Sequence, residues 1–186
     1  NLSKFVIGKD IDYDSLKETV RTSVRFLDDA IDASWYAFRD VKKATKNFRR
    51  IGLGVLGWAD MLYQLMIPYD SNKAVALARE VMGFINKEAD KMSRELAEEK
   101  GTYPEYAESE FEKQGVKRRN STVTAIAPTG SISLLAGSSS SIEPNFALSM
   151  TRQLFSSEKV LVVNKHFEAE ARKRGIYSEE LMKELA

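Results

Sequence analysis

Apolar residues recur at intervals of three and four over two long stretches of the chain. Between about residues 14 and 36 this spacing predicts an amphipathic helix. A longer pattern predicts a helix over about residues 72–100, ended by Gly101. The first helix would bury one side of its surface through five apolar side chains: Leu16, Val20, Val24, Leu27 and Ile31.

Shorter patterns complete the predicted helices. Further helices are predicted at about residues 52–65, 107–113 and 160–174, and after Ser178. Gly175 would stop the helix at 160–174, and Ser178 would cap the last one. Residues 41–48 are basic and polar and continue into Arg49 and Arg50, so they predict a solvated connection.

Strands are predicted at about residues 5–7, 122–126 and 145–150. The run from Thr122 to Ile126 is apolar and β-branched, which is typical of a buried strand. Because it leads into a loop and a short helix, residues 122–136 form a strand–loop–helix unit. Such a unit is typical of an α/β fold.

The loop of this unit carries the chemistry on which a functional prediction can rest. Pro128 and Gly130 favour a tight turn, and three hydroxyls, those of Thr129, Ser131 and Ser133, surround the expected helix start. A helix N-terminus has unpaired N–H groups and a partial positive charge, so it suits a phosphate. The alternative is an ordinary threonine N-cap on a short helix.

Residues 52–57 read G-x-G-x-x-G, the spacing of a dinucleotide-binding loop. That loop requires a buried strand before it and an acidic residue about 20 positions after it. The preceding residues 46–50 are polar and basic, and the next acid after Asp60 is Asp70. We therefore interpret these glycines as sites of close backbone packing.

Composition narrows the function classes. The 186 residues are 43% hydrophobic and 30% charged, with a net charge of +1, which predicts a globular cytoplasmic protein that does not bind nucleic acid. No apolar run approaches the ~20 residues of a membrane span. Without cysteine and with one histidine, His166, no metal site is predicted. His166 is predicted at the surface, and Asp28, Asp29 and Asp32 as solvated carboxylates.

Several blocks of the sequence resemble one family. Asn120–Gly137, followed by Ser138–Ser141 and Ile142–Pro144, is similar to the substrate-phosphate segment of ribonucleotide reductase catalytic subunits. Four further blocks match in order along the chain: Arg49–Asp60, Ile67–Ser71, Ser93–Ala97 and Asn164–Leu181. The resemblance covers nearly the whole chain and favours the adenosylcobalamin-dependent (class II) reductases.

The resemblance implies a fold and an activity. The fold would be a partial, helix-rich segment of a ten-stranded α/β barrel. The activity would be reduction of ribonucleoside di- or triphosphates by radical chemistry, with adenosylcobalamin as cofactor and a thioredoxin-type reductant. The substrate phosphates would be bound at six residues: Pro128, Thr129, Gly130, Ser131, Ile132 and Ser133. Ala127 and Glu143 are weaker candidates, and Glu143 alternatively caps backbone N–H groups of its own loop.

The catalytic residues implied by the family are cysteines, and this sequence has none. We therefore expect residues 1–186 to be one segment of a longer reductase barrel, whose remaining segments are its partners. Within it we expect a helical part at about 12–115, a phosphate-loop part at about 118–150 and C-terminal helices at about 158–186. Alone, the segment should be inactive, and it should either be prone to aggregation or depend on complementing segments. The alternative is a non-catalytic helical binding module that retains the loop structurally.

Overall fold

The computed structural model describes residues 1–153 and 159–186. Within these ranges the helices are α1 (Tyr13–Ala33), α2 (Arg39–Phe48), α3 (Trp58–Gln64), α4 (Asn72–Lys100), α5 (Glu110–Lys113), α6 (Gly130–Ala136), α7 (Lys165–Lys173) and α8 (Glu179–Glu184). Two 3₁₀ helices cover Leu2–Phe5 and Pro104–Glu108. The strands are β1 (Val6–Ile7), β2 (Asp10–Ile11), β3 (Ser149–Gln153) and β4 (Lys159–Val163).

Two compact units divide the chain, and each draws on distant parts of the sequence. Unit 1 consists of Asn1–Asp10, Leu56–Ser71 and Thr129–Ala186. Unit 2 consists of Ile11–Val55 and Asn72–Pro128. The sequence predicted three consecutive parts, at about 12–115, 118–150 and 158–186, within one barrel segment. The two units are defined by contacts within this chain and do not test that division, which stays a prediction.

The core of unit 2 lies between α1 and α4, which pack against each other. The predicted periodic patterns are confirmed: α4 spans the expected residues, and Gly101 ends it with φ +83°. Leu27 is only partly buried, and the neighbouring Asp28 is fully buried. Fully or nearly fully buried apolar side chains of the two helices include Leu16, Val20, Val24, Val81, Ile85, Ala89 and Leu96.

The polar stretch before residue 49 is helical, so the prediction of a connection there is wrong. α2 buries none of its side chains, and although Val41, Ala44 and Phe48 recur at helical spacing, they lie among four basic residues that favour the prediction of a connection. The helix ends at Arg49, whose φ is +45°. Arg49 itself is 4% exposed, so its placement among solvated charges is also wrong.

Arg49 is buried because it neutralises Asp28. Its Nε lies 2.9 Å from Asp28 Oδ1, and its Nη2 lies 2.8 Å from Asp32 Oδ2. Asp28 also accepts from Asn120 Nδ2 at 2.9 Å and lies 3.4 Å from Arg119 Nε. The prediction that Asp28 is solvated is wrong, because the side chains of Arg49, Arg119 and Asn120 enclose it.

The predicted strand at 122–126 is extended but is not a regular strand. It makes one isolated parallel bridge, between Leu53 and Thr124, with hydrogen bonds from Leu53 N to Val123 O and from Ala125 N to Leu53 O. Val123 is buried, whereas Ile126 is 68% exposed, so the prediction that the whole run is buried is wrong.

The glycine-rich residues 52–57 precede helix α3, which begins only at Trp58, so the predicted start at residue 52 is wrong. The expectation of close packing is confirmed. A Cβ at Gly54 would lie 2.9 Å from the Ala125 carbonyl oxygen, and one at Gly52 would lie 2.9 Å from Ala125 Cβ.

Unit 1 combines short helices with an antiparallel pair of strands. β3 and β4 pair antiparallel, with Ser149 opposite Val163. The prediction of a helix from residue 160 is therefore wrong at its start, since α7 begins at Lys165, while the predicted stop at Gly175 (φ +69°) is confirmed. The predicted cap of the last helix is confirmed, because Ser178 Oγ accepts from Leu181 N at 3.0 Å.

The fold is thus a helix-rich arrangement with a few short strands. Its described strands form two two-stranded sheets and no closed barrel, which agrees with the expected partial character. Among the residues that the structure describes, no helix combines the length and apolarity of a membrane span. The described residues likewise contain no group of three or more His, Asp or Glu placed to hold a metal ion.

Candidate functional site

The candidate phosphate loop, defined as Ala127–Ser133, leads into α6. Thr129 occupies the N-cap position with φ +55°, and its side chain makes no capping hydrogen bond. A β-branched residue with positive φ is an outlier that costs about 1–3 kcal/mol and persists only when its surroundings hold it. The predicted helix start is therefore present, but the threonine does not act as an ordinary side-chain cap.

The Thr129 hydroxyl has a different partner. Its Oγ1 accepts a hydrogen bond of 2.7 Å from the backbone N–H of Ser141. A hydroxyl has one donor and two acceptor positions, so a hydroxyl that accepts this bond keeps its own proton for another partner. The bond also joins two strained residues, because Ser141 has φ +44°.

The two loop serines are placed differently. Ser131 is exposed, as is Ile132 beside it. Ser133 is 1% exposed, its Oγ donates to Gly130 O at 3.0 Å, and it also lies 2.8 Å from Ser140 Oγ. The hydroxyl of Ser131 therefore faces solvent, whereas that of Ser133 is engaged within the loop.

The first backbone N–H groups of α6 complete the loop. The first bond of the helical pattern runs from Ser133 N to Thr129 O at 2.9 Å. The N–H groups of Gly130, Ser131 and Ile132 precede it, and such groups have no partner inside a helix. Ala127 and Pro128 lie before Thr129 in the sequence and are exposed.

The serine loop, defined as Ser138–Ser141, follows α6 in the chain and is hydrogen-bonded to the start of α3. Ser139 N donates to Asp60 Oδ2 at 2.8 Å, and Asp60 N donates to Ser139 Oγ at 3.2 Å. Asp60 is 1% exposed and Ser139 is 8% exposed. No role for Asp60 follows from the sequence, because nothing in the local pattern indicates a partner 79 residues away.

Asp60 also reaches the start of α7. Asn164 Nδ2 donates to Asp60 Oδ1 at 3.1 Å. Asn164 Oδ1 in turn accepts from His166 N and Phe167 N at 3.0 and 3.1 Å, so it caps the helix. The buried carboxylate of Asp60 therefore contacts both the serine loop and α7.

His166 is not a surface residue, and that prediction is wrong. The residue is half-buried, and its Nε2 is shielded from solvent without a hydrogen-bond partner in the described part of the chain. Burial lowers the pKa of His166 below its ordinary value of 6.5, although the negative charge of Asp60 acts in the opposite direction.

Glu143 is exposed. Its backbone N–H donates to Ser140 O at 3.0 Å, which closes a turn after the serine loop. This bond uses the backbone of Glu143 and not its carboxylate. Glu143 is therefore beside the site, and both interpretations of its carboxylate stay predictions.

Comparison with known proteins gives the family. A family model described as "Ribonucleotide reductase, barrel domain" matches residues 1–118 and 109–186. The chain belongs to the ribonucleotide reductase barrel-domain family. The resemblance inferred from the sequence blocks is thereby confirmed.

Individual relatives indicate the class. A vitamin B12-dependent ribonucleoside-diphosphate reductase of Thermoplasma acidophilum is 54% identical over 187 residues, covering 100% of this chain and 24% of that protein. The enzyme of the same description from Mycobacterium tuberculosis H37Rv is 46% identical, with 100% and 26% covered. A ribonucleoside-diphosphate reductase subunit alpha of Chlamydia pneumoniae is 29% identical over 222 residues, covering 100% of this chain and 21% of that subunit. The chain therefore spans about a quarter of the length of the B12-dependent relatives.

A solved structure agrees with this family. The Actinobacillus ureae class Id ribonucleotide reductase alpha subunit superimposes with a TM-score of 0.73 over 92% of this chain and 31% of that chain, at 25% identity. Sequence identity to the B12-dependent proteins is higher than to this structure. The alignment with the Thermoplasma acidophilum enzyme has hardly any gaps, since it spans 187 positions for a chain of 186 residues.

Proposed function

We propose that this chain is the part of a vitamin B12-dependent ribonucleotide reductase that binds the terminal phosphates of the ribonucleotide. The observation that carries the proposal is the family match along the whole chain, which includes the candidate phosphate loop. The names of the similar proteins favour a ribonucleoside diphosphate as substrate. The complete enzyme would reduce it to the deoxyribonucleotide.

The phosphate would be bound by neutral donors. The N–H groups of Gly130, Ser131 and Ile132 lie at the start of α6, where the helix dipole favours an anion. The Ser131 hydroxyl is exposed beside them. Thr129 would donate its remaining proton, because its oxygen already accepts from Ser141 N.

The other loop residues would support these donors. Pro128 fixes one backbone angle immediately before Thr129. Ser133 would act indirectly, since its hydroxyl bonds Gly130 O and lies against Ser140 Oγ. Neutral donors hold a phosphate without placing a positive side chain beside the radical chemistry, and they allow the product to leave.

The chain would supply binding and no reacting group. The 186 residues contain no cysteine, so a cysteine-based radical and reducing electrons would come from other segments. A thioredoxin-type protein in the cytoplasm would renew those electrons.

Among the described residues, no accessible imidazole is available to the cobalt of adenosylcobalamin. The one imidazole of the chain belongs to His166, and its Nε2 is shielded by protein instead of facing a ligand. We therefore propose that cofactor for the complete enzyme, which would use it to generate the radical, and assign no residue of this chain to it.

The test is the substitution Ser131→Ala in the full-length reductase that carries this segment. Loss of one hydrogen bond to a charged group costs about 1.5–3 kcal/mol, so KM for a ribonucleoside diphosphate should rise roughly tenfold or more with little change in kcat. Thr129→Ala should act in the same direction, and Thr129→Ser, which keeps the hydroxyl, is the matched control. An unchanged KM in Ser131→Ala would remove this hydroxyl from the site.

A further inference from the structure

We infer that Asp60 is a positioning residue for the candidate phosphate loop and that it acts through the serine loop. The inference rests on the proposed function for its biochemical consequence. The contacts that carry it all lie within unit 1. Three steps connect Asp60 to Thr129, and a fourth explains why the side chain must be a carboxylate.

The first step is the start of α3. Its N-cap is Gly57, which has no side chain to satisfy the free N–H groups of the helix. The serine loop supplies the acceptors: Gly57 N donates to Ser139 O at 2.8 Å, and Trp58 N donates to Ser141 O at 3.4 Å. Since Asp60 N donates to Ser139 Oγ at 3.2 Å, Ser139 caps α3 from a distant part of the chain.

The second step is the return bond. Asp60 Oδ2 accepts from Ser139 N at 2.8 Å, so Asp60 and Ser139 each donate a backbone N–H to the other's side chain. Within one helix this reciprocal pattern is a capping box. Here it joins two segments, and because both residues are buried, water does not compete with either bond.

The third step leads from the serine loop to the candidate phosphate loop. Ser141 N holds Thr129 Oγ1 at 2.7 Å, and both residues have positive φ. Strained conformations of this kind are kept only by the surrounding structure. A shift of the serine loop would remove the acceptor role of Thr129, and the threonine would be free to relax.

The fourth step concerns the chemistry of Asp60. Its two oxygens each accept from a donor that has no alternative orientation: the backbone N–H of Ser139 and Nδ2 of Asn164. The Asn164 amide cannot turn, because its oxygen caps α7 through His166 N and Phe167 N. A carboxylate accepts on both oxygens, whereas an amide at position 60 would direct an NH₂ group at one of these donors.

This geometry provides a reciprocal variant. In Asp60→Asn/Asn164→Asp the amide at position 60 would accept from Ser139 N and donate to the carboxylate at position 164. That carboxylate would still accept from the two N–H groups at the start of α7. Every hydrogen bond of the arrangement is therefore retained in the double variant, and one is lost in the single variant Asp60→Asn.

The experiment compares these variants in the full-length reductase, with ADP as the substrate. We expect Asp60→Asn to raise KM for ADP about tenfold with less than a twofold change in kcat, and the double variant to restore KM to within about twofold. Ser138→Ala is the matched control, because the Ser138 hydroxyl lies in the same loop and has no hydrogen-bond partner among the described residues. A role in stability alone would lower the active fraction and therefore kcat, and would leave KM unchanged.

Two results would overturn the inference: an unchanged KM in Asp60→Asn, or a double variant that remains as impaired as the single one. Failure of the proposed function is recognised separately, since the wild-type protein would then neither bind nor reduce ADP. In that case the positioning role is tested by amide hydrogen exchange at Ser141. Faster exchange in Asp60→Asn, with recovery of the wild-type rate in the double variant, supports the role. Equal exchange in all three proteins contradicts it.

Discussion

Units 1 and 2 each contain an aspartate that is almost completely buried, and the two carboxylates have different kinds of partners. Asp28 in unit 2 is 0% exposed and faces charged groups: Arg49 Nη2 at 2.8 Å, Arg119 Nε at 3.4 Å and Lys100 Nζ at 3.8 Å. Asp60 in unit 1 is 1% exposed and accepts from a backbone N–H and from an asparagine amide. Among the described residues, no cation lies within ion-pair distance of Asp60.

The two buried carboxylates therefore have different roles. The Asp28 cluster joins α1 to the end of α2, to α4 and to residues 119–120, so it fixes a structural junction by paired charge. The Asp60 arrangement reaches the candidate phosphate loop through neutral groups. A network without cations suits a loop that must bind an anion reversibly, because it adds no long-range attraction.

The largest expected effect is on the charged side of this comparison. Asp28→Asn leaves Arg49 buried without its full counter-charge, and breaking a buried pair in this way costs about 3–5 kcal/mol. Asp29→Asn is the control, because Asp29 is 54% exposed and its one ion pair within the described part of the chain is with Lys100. Urea unfolding of the purified proteins measures both, and equal midpoints would show that the Asp28 cluster does not hold the junction.

A smaller effect is expected for the neutral arrangement. Asp60→Asn removes one hydrogen bond of a buried group and leaves no unpaired cation, so the free energy of unfolding should fall by about 1–3 kcal/mol. Asp70→Asn, at an exposed aspartate in the same unit, should stay within about 0.5 kcal/mol of the wild type. If Asp60→Asn destabilised the protein as strongly as Asp28→Asn, the distinction between the two carboxylates would be lost.

The smallest effect is a pH dependence beside Asp60. Because burial lowers the pKa of His166 in the folded protein, the unfolded chain takes up the proton first. The stability is therefore complete above the ordinary value of 6.5 and falls as the pH drops through it towards the folded pKa. Unfolding midpoints at about pH 7.5 and about pH 5.5 should differ in the wild type and in Glu168→Gln, and should differ less in His166→Gln. If the midpoint changed equally with pH in the wild type and in both variants, the pH dependence would come from groups other than His166.

Long periodic patterns were sufficient to predict the helices that form the core of unit 2. α1 and α4 have apolar residues on one face over several turns; α4 has the predicted bounds, and α1 begins one residue and ends three residues before its predicted bounds. α2 has only a short face of this kind, formed by Val41, Ala44 and Phe48 among basic residues, and it buries no side chain. The start of the predicted helix at residue 160 was wrong because a short apolar run fits a strand and a helix equally well, and pairing with β3 decides between them.

The contacts of single polar residues could not be predicted in the same way. Asp28 is enclosed by Arg49, Arg119 and Asn120, which lie 21, 91 and 92 positions further along the chain. The helix start at the candidate phosphate loop was visible in the sequence. That Thr129 accepts from Ser141, and that Asp60 holds the serine loop, depends on residues that meet only in the fold.

The discontinuous make-up of the two units has a consequence for the order of folding. All residues of unit 2 have been synthesised once the ribosome passes Pro128, whereas unit 1 still needs Thr129–Ala186. Helix α3 is made early, but the acceptors that cap it come from Ser139 and Ser141, about eighty positions later. Because every residue of unit 2 precedes these acceptors in the sequence, α1 and α4 can pair during synthesis, whereas α3 gains its caps only after residues 139–141 have been made.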